Sequence, residues 1–193
     1  MGAGPSDVVC GAVARLVWEK GYLELFTAAA LLREKHPQLK FVVVGGSEPG
    51  KSDAISDADL AVATREGGVR FLGHRGDVDE LYGAFDLLVL ASHREGFPRT
   101  PMEAAAMGLS VVATDIRGCR QVVDDDCTGL LVERQNARAL AAAIGSLVAD
   151  PERRNAMGRA AHAKAVAEFD QQHVIDITLA VYSQLLGRAK VAR

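Results

Sequence analysis

Apolar and polar positions alternate between two periodicities along the chain. Val8–Arg15 is a strand-like apolar run. After it, Tyr22, Leu25, Phe26, Ala29 and Leu32 fall on one helical face, and His36-Pro37 stops that pattern. Phe41–Val44 is a continuous apolar strand closed by Gly45-Gly46, followed by a polar loop, Gly46–Ser56. The spacing then predicts a helix over Asp57–Glu66, a strand over Val69–Leu72 and a short helix over Asp77–Ala84. Asp86–Ala91 reads as a strand buried on both faces, with a loop from Ser92 to Arg99. Thr100–Met107 reads as a helix, with Thr100 as its N-cap and Pro101 in its first helical position. Strands over Leu109–Thr114 and Gly129–Val132 follow, then helices over Ala137–Val148, Pro151–Glu168 and Gln171–Leu186. Strands this apolar, alternating with helices, predict a doubly wound α/β fold: about six parallel strands, helices on both faces and extra C-terminal helices. Such sheets bind ligands beyond the carboxyl ends of their strands. The loops of interest therefore begin near Arg15, Gly45, Gly73, Ser92 and Thr114.

Composition narrows the class. Of 193 residues, 49% are hydrophobic, and 22 Lys+Arg against 25 Asp+Glu leave a net charge of −3, which excludes a disordered chain. That charge gives no general attraction to nucleic acid or anionic lipid. No apolar stretch approaches the roughly 18–20 residues of a membrane span. The three cysteines, Cys10, Cys119 and Cys127, lack metal-ligand spacing and cannot all pair, which fits a reduced, cytoplasmic setting. Met1-Gly2 with Ser6 matches a myristoylation pattern, but so short a pattern is common by accident, and Met1–Ser6 reads as a linker or a cloned start.

Gly45 to Ser52 satisfies the phosphate-loop spacing G-x-x-x-x-G-K-S after a buried strand. A nucleotide phosphatase would use Lys51 on the terminal phosphates and Ser52 on Mg²⁺, with Asp115 at the end of a second strand. That chemistry needs a helix beginning at Lys51-Ser52, so that free amides face the phosphates. Asp53 and the helix-start pattern at Ser56-Asp57 argue instead for a surface loop. No G-x-G-x-x-G joins the first strand to the first helix, where Arg15–Gly21 stands.

Three strand-end segments point at one crevice. Arg15 and Lys20 are a cation pair suited to a diphosphate. Glu95, Gly96, Phe97, Pro98, Arg99, Thr100 and Glu103 combine two acids, a flexible glycine and the free amides of a helix start. Thr114–Gln121 follows the next strand, with Gly118 at a turn. Taken singly, each segment has a plain alternative: solvated charges, an exposed loop acid, a first-turn acid or a simple connection.

Arg15-x4-Lys20-Gly21, Phe71-Leu72-Gly73, Glu95-x7-Glu103, Asp115–Arg120 and Thr128–Val132, in that order, resemble the carboxyl-terminal domain of GT-B glycosyltransferases of family four. The resemblance covers about Val8 to Leu186. It implies a Rossmann-like domain that binds a nucleotide-sugar donor (a UDP-, GDP- or ADP-sugar) and a retaining transfer of a hexosyl group without a metal. It implies that Glu95, with the Gly96 and Phe97 amides, orients the sugar, and that Glu103 holds the ribose. Arg15 and Lys20 would neutralise the diphosphate with help from amides near Arg99 and Thr100, Pro98 would belong to the same donor-binding set, and Gly73, His74 and Arg75 would line the base pocket, mostly through backbone.

The family usually has a glutamate where Gln121 stands, so Gly118 and Gln121 are further candidate contacts, the latter weakened. Ser110 replaces a frequent proline, and Cys127 occupies a turn where a small or apolar residue is expected. The resemblance also implies an amino-terminal acceptor domain of comparable size, in an enzyme that is cytoplasmic or peripheral to the inner face of a membrane. The expected division is residues 1–7 as a linker, 8–170 as the donor-binding domain and 171–193 as a helix that packs on the missing domain. Val174, Ile175, Ile177, Leu179, Val181, Tyr182, Leu185 and Leu186 spread around that last helix, which suggests self-association when it is alone, or else burial in a groove of its own domain. The isolated chain is expected to bind donor weakly and to transfer no sugar; a glycosyltransferase-like module without activity is the alternative.

Overall fold

The computed structural model describes residues 4–48 and 50–191. Met1 and Gly2 of the myristoylation pattern, Pro49 of the phosphate-loop-like segment, the last two residues and the Val174 side chain lie outside the described parts. Six parallel strands are laid down as β1 (Val8–Val13), β2 (Leu39–Val44), β3 (Arg70–Phe71), β4 (Leu87–Leu90), β5 (Ser110–Thr114) and β6 (Gly129–Val132). Their order across the sheet is β3-β2-β1-β4-β5-β6. The helices are α1 (Tyr22–Arg33), α2 (Asp57–Gly67), α3 (Val78–Tyr82), α4 (Arg99–Ala106), α5 (Arg117–Arg120), α6 (Ala137–Ala149), α7 (Pro151–Glu168) and α8 (Gln171–Val191).

Alternate residues of each inner strand feed two cores. Cys10, Ala12, Phe41, Val43, Leu87, Val89 and Val112 face Tyr22, Leu25 and Ala28 of α1 and Leu140, Ile144 and Leu147 of α6. Val9, Val42, Val44, Leu88, Leu90, Val111 and Ala113 face Leu81, Tyr82, Ala104 and Cys119. Burial on both sides is why these strands read as continuous apolar runs.

Several boundaries differ from the pattern. Strand β3 keeps only Arg70–Phe71 of the expected Val69–Leu72, because it is an edge strand paired only with Val42 and Val43. Helix α4 starts at Arg99 with Pro98 as its N-cap, so Thr100 is not the cap and Pro101 is the third helical residue. Proline is tolerated there because first-turn amides have no partner within the helix. A 3₁₀ turn, Trp18–Lys20, follows β1, and α8 runs on to Val191. Ile177, Leu179, Tyr182, Leu185 and Leu186 on α8 are more than half exposed, so no groove of this domain encloses them. Helix α2 begins at Asp57, where the Ser56 side chain caps it, so no helix N-terminus stands at Lys51-Ser52. Lys51 instead pairs with Glu48. No described helix is long and apolar enough to cross a membrane.

Cys10 and Cys119 are buried and Cys127 is exposed. Burial pushes the Cys10 thiol far up, and pushes Cys119 up to about 11. Thiolate is the reactive form, so iodoacetamide at pH 8 should label one thiol per folded chain and all three after unfolding. Mass spectrometry reads the count; rapid labelling of Cys10 in the folded state would contradict this packing.

Candidate functional site

Strand order reverses between β1 and β4, so the loops leaving those neighbours diverge and open a crevice at the carboxyl edge of the sheet. The two loops touch at Gly21. Its φ is +74°, and a Cβ there would lie 1.9 Å from the Ala91 carbonyl oxygen. This contact brings Lys20 to the β4–α4 loop, where its Nζ lies 2.7 Å from Glu95 Oε1. Both side chains are more than four-fifths buried. The third segment closes on the same point: a Cβ on Gly118 of α5 would lie 2.5 Å from the Glu95 carbonyl oxygen. Beside it, Thr114 Oγ1 donates to the Ser92 carbonyl at 2.6 Å.

Arg15 takes a different partner. Its Nη1 lies 2.7 Å from Glu48 Oε2, and Glu48 also holds Lys51. Lys51 and Arg15 together hold the Glu48 carboxyl below its ordinary range. The loops carrying Arg15 and Glu48 are joined by the bond from Leu16 N to the Gly46 carbonyl at 3.0 Å. Each cation of the expected pair thus rests on its own carboxylate.

Glu103 faces the end of α3. Its Oε2 accepts from Tyr82 Oη at 2.9 Å, and its Oε1 is 3.5 Å from Arg99. Burial, then the Glu103 charge, pushes the Tyr82 phenol up, so it stays protonated and donates. Phe97 is half exposed and meets Phe169 edge-on, with ring centroids 6.1 Å apart. Phe97, Arg99, Met102 and Glu103 line a hollow of about 700 Å³ together with His162 and Phe169. Arg15, Lys20 and Glu95 do not line that hollow. Pro98 is buried and Gly96 exposed, and the Thr100 carbonyl lies 3.5 Å from Tyr82 Oη.

The Gly73 carbonyl, after β3, accepts from Gly45 N at 2.9 Å, and His74 stands beside Gly46. Arg75 is engaged with Asp77 through two hydrogen bonds, which lower that carboxyl. Gln121 is exposed and donates to its own helix at the Arg117 carbonyl, 3.3 Å away, so it does not join the Glu95 cluster. Among the described residues no group of three or more His, Cys, Asp or Glu side chains is placed to hold a metal ion.

Sequence reasoning missed Tyr82, Glu48, and the contact between His93 and Glu24. Glu24 did leave a signal, since it lies four residues before Ala28 and so on the buried stripe of α1.

The model of the family described as glycosyl transferases group 1 matches residues 4–164. The chain belongs to that family. Over 174 residues it is 31% identical to the N,N'-diacetylbacillosaminyl-diphospho-undecaprenol alpha-1,3-N-acetylgalactosaminyltransferase of Campylobacter jejuni, covering 90% of this chain and 44% of that protein. The group 1 chain also superposes on Anabaena Alr3699/HepE, solved in complex with UDP-glucose, at a TM-score of 0.81 and 28% identity, covering 94% of this chain and 49% of that one. A C-terminal domain of a glycosyl transferase group 1 family protein (LpcC) from Francisella tularensis aligns at TM-score 0.77 and 27% identity, covering 86% of this chain and 88% of that one. The architecture is thus that of the GT-B glycosyltransferases. The chain spans about half the length of the curated relatives it matches.

Proposed function

We propose that this chain is the donor-binding, carboxyl-terminal half of a family-four retaining glycosyltransferase that moves a hexosyl group from a nucleoside diphosphate. The observation that carries this reading is the Lys20–Glu95 contact at the sheet's switch point, an acid and a cation from loops 75 positions apart. In this reading Glu95, with the amides of Gly96 and Phe97, receives the sugar. Lys20 and Arg15 meet the diphosphate, aided by the first-turn amides at Arg99 and Thr100 next to Pro98. Glu103 takes the ribose hydroxyls, with Tyr82 fixing one of its oxygens. Gly73, His74 and Arg75 border the base.

The chemistry follows from charge. Transfer leaves negative charge on the departing diphosphate, and Lys20 with the free helix amides stabilises that charge with little reorganisation, while Arg15 adds its charge once freed from Glu48. Arg15 is half exposed, so a phosphate can displace Glu48 from it; Lys20 is already oriented by Glu95. Acceptor binding belongs in this reading to a preceding acceptor domain, so the chain alone should transfer nothing.

Titration calorimetry tests this with UDP, GDP, ADP and their glucose conjugates. One nucleotide should bind. Glu103→Ala should weaken both the nucleotide and its sugar conjugate about tenfold, as expected for hydrogen bonds to a charged group. Glu95→Gln should weaken only the conjugate. No heat with any of these ligands on folded protein would remove the donor site.

A further inference from the structure

The β4–α4 loop carries an acid contact that the donor reading above does not use. His93 Nε2 lies 3.1 Å from Glu24 Oε1. Glu24 sits in the first turn of α1 and is 8% exposed, and its second carboxylate oxygen is buried without a hydrogen-bond partner. A carboxylate buried with one oxygen unmatched is costly, and an apolar side chain of its size would serve the core better. Core stability therefore does not account for an acid at this position.

Its surroundings do. His93 stands two residues before Glu95. The His93 amide donates to the Glu19 carbonyl at 2.9 Å, Arg94 pairs with Glu19 at 2.9 Å, and Lys20 pairs with Glu95 at 2.7 Å. Residues 93, 94 and 95 are thus each met by a residue from the turn and first helix after β1. The Arg94 side chain is 83% exposed, so its pair adds little. Arg134 approaches the His93 carbonyl only at 3.5 Å. Among the side-chain contacts of residues 93 and 94, His93–Glu24 is the shielded one.

We propose that His93 and Glu24 form a positioning pair that anchors the β4–α4 loop to α1 and so sets the Glu95 carboxylate against the donor sugar. The role of Glu95 rests on the donor reading above. Neither residue touches substrate. A carboxylate only accepts, so Nε2 carries the hydrogen and the ring is held edge-on to α1. With the pair removed, residues 93 and 94 lose their shielded side-chain contact and the Glu95 carboxylate depends on Lys20 alone for an ion pair, and displacements near 1 Å at such a group cost affinity and rate steeply.

The test has two arms on the same chain. In the first, amide hydrogen exchange of ligand-free protein should speed about tenfold over residues 92–98 in His93→Ala and Glu24→Ala, while β2 is unchanged; about tenfold is what losing one hydrogen bond of roughly 1.4 kcal/mol produces. In the second, calorimetry compares UDP-glucose with UDP. The same variants should lose about tenfold of the preference for the sugar nucleotide and keep their UDP affinity. Glu24→Gln, which can still accept from Nε2, should restore both readouts. Glu24→Met should stay as stable as the parent yet lose the preference, an outcome a merely structural role would not produce. If the parent prefers UDP-glucose and all variants prefer it equally, the positioning pair is overturned and the donor site stands. If loop exchange is unchanged in Glu24→Ala and Glu24→Met, the anchor is overturned. If the parent binds neither ligand, the donor reading falls and takes this role of the pair with it.

Discussion

Lys20→Met weakens nucleoside-diphosphate binding by about 10- to 100-fold, the range expected for one lost hydrogen bond between charged groups. Methionine keeps the apolar stem of the lysine and removes only its charge. Two effects then act in one direction. The diphosphate loses a cation, and the Glu95 carboxylate, 2.7 Å from Nζ in the parent, is left unpaired beside an arriving anion. Because both groups are more than four-fifths buried, salt screens this loss less than it would at the surface. Arg15→Met should cost less, since Arg15 is half exposed and must first be released by Glu48. Calorimetry with UDP on Lys20→Met, Lys20→Arg and Arg15→Met ranks the two cations. Equal affinity of Lys20→Met and the parent would place the diphosphate elsewhere.

Gly21→Ala destabilises the domain by about 3–5 kcal/mol, combining the left-handed cost with a clash that cannot relax. The φ of +74° accounts for the smaller part. The larger part is the carbonyl of Ala91, which lies 1.9 Å from the added methyl and belongs to backbone at the end of a buried strand. A loss of this size is a large share of the roughly 5–15 kcal/mol that holds an ordinary domain together. Gly68→Ala is the control: its φ is +67° with nothing within 4 Å of the new methyl, so only about 1 kcal/mol is at stake. Urea unfolding of the two variants should separate them clearly. Similar midpoints would mean that the β1 and β4 loops are not held as close as Gly21 implies.

The legible parts of this protein were those in which local chemistry and burial agree. Phe41–Val44 and Leu87–Leu90 are apolar at every position because helices cover both faces of the sheet, and glycine pairs after Val44 and Glu66 mark where chain direction must change. The false phosphate loop was legible for the same reason, since Ser56 is a better helix start than Lys51. Agreement failed at α4. Thr100 before Pro101 reads as a cap, because a residue preceding proline is pushed out of helical geometry. Tertiary packing overrides that preference: Pro101, Ala104 and Ala105 are buried, and the cap falls two residues earlier, at Pro98.

The amino-acid order by itself determined the six-stranded wound sheet and the loops that leave the carboxyl ends of its strands. Periodicity and turn chemistry act within a few residues, and those features need nothing longer. Only the tertiary structure decided the partners: Lys20 with Glu95, Arg15 with Glu48, Tyr82 with Glu103 and His93 with Glu24. Each pair joins segments that become neighbours when β2 or β4 pairs with β1 or when helices close over the sheet, and charge pairing beyond a few ångströms leaves no mark in local sequence.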